Sequence, residues 1–243
     1  RFVGFVSSYC KKKTVSSLDL HAGEMKDLYS LNAKSKYMAL DWSANNQIVF
    51  TDWNDATHSH DLFILNPQDQ KTIVVTSSKY EEFEPEFSPD ASRLAYIRAW
   101  DGNYELCIQD LRQKSVTVLL ESDKLIFDVT WKSQNELLVS KKGWNAEEVF
   151  VYDIDKMEKE VLSQANFSCV SSAKNSNTFV AGNYRRNDNI WLKPLDSNDE
   201  SLPRQILFSN RKEHKGMISP DNHNIAFVSD LSTTPQIWIY NLN

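Results

Sequence analysis

Short apolar runs of about five residues, separated by polar turn residues, recur along the whole chain. Clear runs lie at 62–65, 149–152 and 237–240, and the separators are Ser-Pro-Asp, Asn-Asn, Asp-Gly or Asn-Asp. This alternation is typical of antiparallel strands joined by short turns. No stretch keeps an apolar period of 3.6 residues, so we expect helix to be a minor component.

The runs are organised in a repeat of about 45 residues. The third strand of each copy begins with a strong apolar residue, and these markers are spaced by 47, 44, 43, 41 and 47 residues. The six markers are Val15, Leu62, Leu106, Val149, Ile190 and Ile237. The repeats they define cover approximately 1–32, 36–76, 82–120, 127–163, 168–208 and 213–243.

A single four-stranded sheet cannot bury both of its faces, whereas sheets stacked radially cover one another. Third strands that are apolar at successive positions fit a sheet covered on both faces. The sequence therefore predicts an all-β chain, a single β-propeller domain over 1–243 with about six four-stranded blades and about 22 strands. We expect the first blade to lack its opening strand and the last to stop before its outer strand.

Two copies carry a family resemblance. Residues 85–111 contain Phe-Ser-Pro-Asp, then Leu-Ala-Tyr, an Asp-Gly turn and a strand ending in Asp-Leu, and 218–242 match them closely. This pattern resembles the TolB-type (PD40) propeller repeat. It is also similar to the repeats in the periplasmic sensor part of transmembrane winged-helix regulators of the ToxR/CadC type. A WD40 propeller is less favoured, because no third strand ends in Trp-Asp.

Charge and hydropathy restrict the partners. With a formal net charge of -6 and a pI near 5.4, we expect no direct contact with nucleic acid, which requires a surplus of Lys and Arg on one surface. No apolar run approaches the ~20 residues that cross a bilayer. The chain begins at Arg1 inside a strand-like run, so we expect it to be part of a longer protein that contacts a membrane only through a segment outside residues 1–243.

The chain contains few patterns associated with catalysis. It has no G-x-S-x-G elbow, and its six glycines are too scattered for a phosphate-binding loop. His58 and His60 could in principle bind a metal, but we interpret them as part of an exposed loop. The acidic stretch 81–86 is interpreted as a solvated loop that leads into a strand. We therefore predict no catalytic residue, no metal and no cofactor.

Aromatic residues recur in the turn between the second and third strands of four consecutive repeats: Trp53, Trp100, Trp144 and Tyr184. If the repeats are equivalent, these side chains emerge on the same face of the propeller. Large amphipathic rings at such a position could bind a peptide, a sugar or an apolar ligand. The alternative is that each ring packs between adjacent blades as part of the core.

Three functions follow from the resemblance. The first is a non-catalytic ligand-sensing or protein-binding propeller, the extracytoplasmic sensor domain of a bacterial transcriptional regulator. Its location would be periplasmic, within a membrane-anchored protein, with cytoplasm as the alternative. The second is a TolB-like periplasmic interaction scaffold, and the third is the propeller domain of a prolyl-oligopeptidase-like serine peptidase.

Overall fold

A computed structural model of the chain describes residues 2–9, 12–143, 147–163, 167, 169–172, 178–182, 190–195, 202–207, 213–229 and 235–242. These residues contain no helix, so none that is long and apolar enough to span a membrane. They form 22 strands in six antiparallel sheets, which confirms the predicted all-β architecture.

Each sheet is built from strands that follow one another along the chain. The first contains β1 (Phe2–Tyr9), β2 (Lys12–Asp19) and β3 (Met25–Ser30); the second contains β4 (Leu40–Trp42), β5 (Ile48–Asn54), β6 (Ser59–Leu65) and β7 (Thr72–Val74). The third contains β8 (Glu81–Phe87), β9 (Arg93–Trp100), β10 (Asn103–Asp110) and β11 (Val116–Ser122).

The remaining strands form three more sheets in the same way. The fourth contains β12 (Ile126–Trp131), β13 (Glu136–Lys142), β14 (Glu147–Asp153) and β15 (Glu158–Ser163). The fifth contains β16 (Cys169–Ser172), β17 (Thr178–Gly182), β18 (Ile190–Pro194) and β19 (Arg204–Gln205), and the last contains β20 (Glu213–Ile218), β21 (Asn224–Ser229) and β22 (Gln236–Asn241).

The six apolar markers all fall in equivalent strands. Those of the second to sixth sheets lie in β6, β10, β14, β18 and β22, each the third strand of its sheet. Val15 lies in β2, the middle strand of the three-stranded first sheet. Within the described ranges the first and last sheets have three strands each and the other four have four, which confirms the predicted incompleteness.

The Ser-Pro-Asp segments of the two clearest repeats form the same hydrogen-bonded turn. Ser88 Oγ donates to Asp90 Oδ1 at 2.6 Å and accepts the amide of Arg93 at 3.0 Å. Ser219 Oγ makes the equivalent contacts, to Asp221 at 2.5 Å and from the amide of Asn224 at 2.9 Å. In both repeats the Ser and Asp side chains thus close the turn between the first and second strands with the same hydrogen bonds.

The chain divides into two compact units, residues 1–121 and 122–243. In the first, apolar side chains of adjacent sheets pack together, and the fully buried members of this cluster are Val15, Ile48, Phe50 and Leu65. In the second, one cluster joins the fourth and fifth sheets and another joins the fifth and sixth. Each unit thus has its own core between successive sheets.

Carboxylates also join the first strands of successive sheets. Asp41 of β4 accepts the backbone amide of Phe87 in β8 at 2.9 Å. In the second unit, Asp128 of β12 accepts the amide of Val170 in β16, also at 2.9 Å. An aspartate on the first strand therefore satisfies a backbone donor of the next sheet in both units.

Candidate functional site

Two of the four predicted ligand-binding aromatics lie in the first unit, at the ends of second strands. Trp53 is the penultimate residue of β5 and Trp100 is the last residue of β9, and both are partly buried. The prediction that they lie in turns was wrong by a residue or two, because both are still paired within their hairpins: Trp53 with His60, and Trp100 with Asn103. Trp144 and Tyr184 lie outside the described residues.

Trp53 is surrounded by polar and charged groups. Its indole Nε1 donates to Asp55 Oδ1 at 2.9 Å, and Lys34 Nζ lies 5.2 Å from the centre of its ring. Lys34 also forms an ion pair with Asp55, with its Nζ 2.9 Å from Oδ1. The indole therefore belongs to an exposed network of hydrogen-bonding and cation–π contacts rather than to the apolar core.

His60 lies opposite Trp53 on β6 and is fully buried. Its Nε2 accepts the backbone amide of Lys36 at 3.0 Å, so its Nδ1 carries the proton and donates to Glu81 Oε2 at 2.5 Å. The ring also meets Tyr37 and Trp53 edge-on, at 4.8 and 5.3 Å between centroids. The expectation of an exposed loop was therefore wrong for His60.

The two histidines of the His-Ser-His segment point to different environments. His58 is exposed at a turn position with φ of 57°. Both ring nitrogens of His60 are engaged in hydrogen bonds with the protein, which leaves no lone pair directed at a metal. Among the described residues no group of three or more His, Cys, Asp or Glu side chains is arranged to hold a metal ion.

The connection between the first and second sheets, residues 31–39, is held over this end of the second sheet. Asp52, which is 1% exposed, accepts the backbone amide of Asn32 at 3.0 Å and the hydroxyl of Tyr29 at 3.2 Å. Burial raises the pKa of Asp52 above its ordinary value and raises the pKa of Tyr29 to about 12. Together with the bond from Lys36 to His60, these contacts hold the connection against the sheet.

The acidic stretch 81–86 is a strand, not the solvated loop that its composition predicts. It forms most of β8. Glu82 is 1% exposed and lies opposite Arg98 on β9. Arg98 Nε is 3.2 Å from Glu82 Oε1, and Nη1 is 3.2 Å from Oε2 of Glu105. A charge-paired partner on the neighbouring strand thus compensates for the burial of the carboxylate, whose pKa burial still raises.

Tyr80 connects this buried network to Trp100. The two rings are 5.2 Å apart between centroids, and the guanidinium of Arg98 lies 5.5 Å from the ring of Tyr80. Tyr80 is adjacent in sequence to Glu81, which binds His60. We use the term aromatic end for the rings of these two groups, which the Tyr80–Glu81 peptide bond connects: Trp53, His60, Tyr37, Tyr80 and Trp100.

Sequence reasoning identified only the two tryptophans of the aromatic end. Tyr37 and Tyr80 lie in the connections that precede the second and third sheets, not in the hairpins that carry Trp53 and Trp100. Their equivalent placement, one to three residues before each first strand, is the signal that could have found them.

Comparison with solved structures shows the fold. A TolB from Acinetobacter baumannii is 16% identical, with a TM-score of 0.71 over 100% of this chain and 66% of that one. A putative TolB from Agrobacterium tumefaciens is 12% identical, with a TM-score of 0.73 over 100% of this chain and 86% of that one. The propeller domain of the Trilobed protease from Pyrococcus furiosus is 11% identical, with a TM-score of 0.67 over 100% of this chain and 79% of that one.

These similarities establish the chain as an all-β, six-bladed β-propeller. The chain spans about two thirds of the Acinetobacter TolB. Enzymes also have this fold, among them an oligogalacturonate lyase in complex with manganese. In sequence, no family model and no curated protein matches the chain.

Proposed function

We propose that the chain is a non-catalytic binding propeller whose ligand contacts the aromatic end. Two linked groups of contacts support this. Trp53 meets His60, which binds Glu81, and Tyr80, the neighbour of Glu81 in the chain, packs on Trp100 of the third sheet. Partly buried tryptophans supply contact area at low entropic cost, and the charged groups beside them, Lys34 and Asp55, supply specificity.

His60 and Arg98, at the core of this site, already have structural partners. His60 is held between Lys36 and Glu81, and Arg98 is held between Glu82 and Glu105. A general base or a nucleophile needs a lone pair directed at the substrate. The arrangement therefore favours binding over catalysis.

A titration of the purified protein with defined ligands tests the proposal. We would use a pool of unstructured peptides and tri-galacturonate, and measure heats of binding. Saturable binding that Trp53→Ala and Trp100→Ala each weaken at least about tenfold, with the fold retained, would support the aromatic end as the site. Cleavage of either ligand by the pure protein would show that the chain is an enzyme.

The finer proposal is that the chain is the extracytoplasmic sensor of a membrane-anchored transcriptional regulator. Its support is the resemblance of repeats 85–111 and 218–242 to the repeats of such regulators. The full-length gene tests it. A winged-helix domain and one apolar span before Arg1 would support the regulator, and their absence would exclude it.

Two other functions have support from individual comparisons. Similarity to two TolB structures favours a periplasmic interaction scaffold. Similarity to the propeller domain of a Pyrococcus protease favours a peptidase propeller. A signal peptide alone would favour the scaffold, and a further ~250 residues with a G-x-S-x-G elbow would favour the peptidase.

A further inference from the structure

The indole of Trp53 and the carboxylate of Asp55 together hold an ammonium group of the chain itself. Lys34 Nζ lies 5.2 Å from the centre of the indole ring and 2.9 Å from Oδ1 of Asp55. The same carboxylate oxygen accepts the indole Nε1–H at 2.9 Å. An aromatic ring and a carboxylate that meet one ammonium group are a combination suited to recognising cations.

The indole and the carboxylate are anchored by contacts that do not involve the ammonium group. The backbone amides of Trp53 and Asn32 both donate to Oδ1 of Asp52, at 2.8 and 3.0 Å. The side chain of Asn32 then donates from Nδ2 to Oδ2 of Asp55 at 3.1 Å. Because Asp52 is 1% exposed, a buried charge fixes both sides of the site from below. The site is therefore preorganised, which lowers the cost of binding a ligand.

The side chain of Lys34, in contrast, is held weakly. It is 60% exposed, and the side chain of its partner Asp55 is 66% exposed. An ion pair between side chains this exposed contributes little, because water and salt screen it and because ordering a lysine costs entropy. A second ammonium group that brings further contacts can therefore replace Lys34 at small cost.

Other rings of the aromatic end also lie in surroundings that favour a cation. Burial, together with the charges of Glu81 and Glu84, raises the pKa of Tyr37 to about 12, so the carboxylates that act on this phenol add negative charge. Tyr80 has the Nζ of Lys79 5.5 Å from its ring centre. A positively charged ligand thus fits this end of the second and third sheets better than an anion does.

We propose that the ligand of the aromatic end carries an ammonium group, which replaces Lys34 between Trp53 and Asp55. Lys34 is the chain's own occupant of this position in the absence of the ligand. In the complex the ligand nitrogen donates to Asp55 and lies over the indole, and the side chain of Lys34 turns to solvent. The inference rests on the proposed function, because it names the chemistry of the ligand for that same site.

The test follows the indole Nε1–H signal of Trp53 by NMR while tri-lysine with blocked termini is added to the protein. The signal is assigned with Trp53→Phe, and the control ligand is the same peptide with its side chains acetylated, which removes their charge. We expect a saturable shift with the charged peptide and none with the acetylated one.

Pentylamine carries the same group without a peptide backbone and distinguishes the two sources of an ammonium group. Binding as tight as that of tri-lysine would identify a free amine as the ligand. Binding at least about tenfold weaker would identify a lysine side chain of a polypeptide, because the rest of the peptide then adds contacts.

Variants of the protein test the replacement of Lys34. Lys34→Met removes the competing ammonium group and should raise the affinity for tri-lysine at least about threefold. Lys71→Met is the matched control, because Lys71 forms a similarly exposed ion pair with Asp69, and it should leave the affinity almost unchanged. Asp55→Asn keeps the shape of the carboxylate without its charge and should weaken binding by about tenfold or more.

Two results would overturn the inference. One is no shift of the Trp53 signal at millimolar tri-lysine, in the unchanged protein and in Lys34→Met alike. The other is the same affinity in Lys34→Met and Lys71→Met, since any gain would then reflect only the loss of a positive charge. Circular dichroism of each variant excludes unfolding as the cause.

The proposed function is judged separately with the peptide pool and tri-galacturonate. If either binds in a way that Trp53→Ala weakens while tri-lysine does not bind, the proposed function stands and the ammonium ligand is excluded. If none of the three binds, both the proposed function and this inference are wrong.

Discussion

Arg98→Met should destabilise the first unit strongly, because it leaves two buried carboxylates without their cation. The side chain of Arg98 is 18% exposed, and its partners Glu82 and Glu105 are 1% and 13% exposed. The aliphatic part of methionine can replace the stem of the arginine, so the change removes the charge and the donors with little loss of volume. Arg98 also donates to the hydroxyl of Tyr96 at 3.1 Å, a bond that is lost as well.

The expected cost follows from the burial of the partners. Removing one member of a buried ion pair typically costs about 3–5 kcal/mol, because the remaining charge is uncompensated. The residual exposure of Arg98 places the expectation near the lower limit, at about 3 kcal/mol. For a chain of this size each kcal/mol lowers Tm by roughly 2–4 °C, so a fall of about 6–12 °C is expected.

The cost should also depend on pH. Burial raises the pKa of Glu82 in the folded protein, and loss of Arg98 raises it further. In the unfolded chain Glu82 loses its proton at its ordinary pKa of 4.5, whereas in the folded variant it keeps the proton to a higher pH. The free energy of unfolding therefore falls as the pH rises from the unfolded pKa to the folded pKa. Arg98→Met should therefore cost less at pH 5 than at pH 7.5.

Urea unfolding at the two pH values measures the effect. The matched control is Lys156→Met, which breaks an exposed ion pair with Asp153 and should leave the free energy of unfolding almost unchanged. In the double variant Glu82→Gln with Arg98→Met, part of the loss should be recovered, because a neutral amide is cheaper to bury unpaired. A cost of Arg98→Met below about 1 kcal/mol, or one that is equal at both pH values, would refute the reasoning.

Three further predictions concern other parts of the chain. Trp131→Ala should cost about 3–5 kcal/mol of stability because Trp131 is fully buried, whereas the partly buried Trp100 should lower Tm less when changed to Ala. An equal fall in Tm for the two variants would show that Trp100 is part of the core. Cys107, whose pKa burial raises to about 12, should resist iodoacetamide at pH 8 in peptide mass maps unless the protein is unfolded first. Gly216→Ala should cost about 1–3 kcal/mol in urea unfolding, since the added Cβ would lie 2.7 Å from Cγ1 of Val180; an unchanged midpoint would show that the core yields.

The sheet architecture could be predicted because it depends on features that repeat. The apolar markers fall on equivalent strands, so their spacing reports the size of one sheet directly. The turn at Ser88 and Asp90 recurs at Ser219 and Asp221 because its hydrogen bonds are local to five or six residues. Short-range chemistry of this kind is fully encoded in a contiguous segment.

The aromatic end could be predicted only in part, because its contacts are made between segments distant in the sequence. Composition alone predicts that an acidic segment is exposed to solvent. The buried Glu82 is instead paired with Arg98, sixteen residues later in the sequence. The role of His60 depends on the amide of Lys36, which lies in the connection that crosses the end of the second sheet. Whether a polar residue beside a hairpin turn is buried or exposed therefore depends on the position of the connection that precedes its sheet. In this fold the connections between sheets, rather than the hairpins within them, decide which polar side chains at the aromatic end are buried and which are available to a ligand.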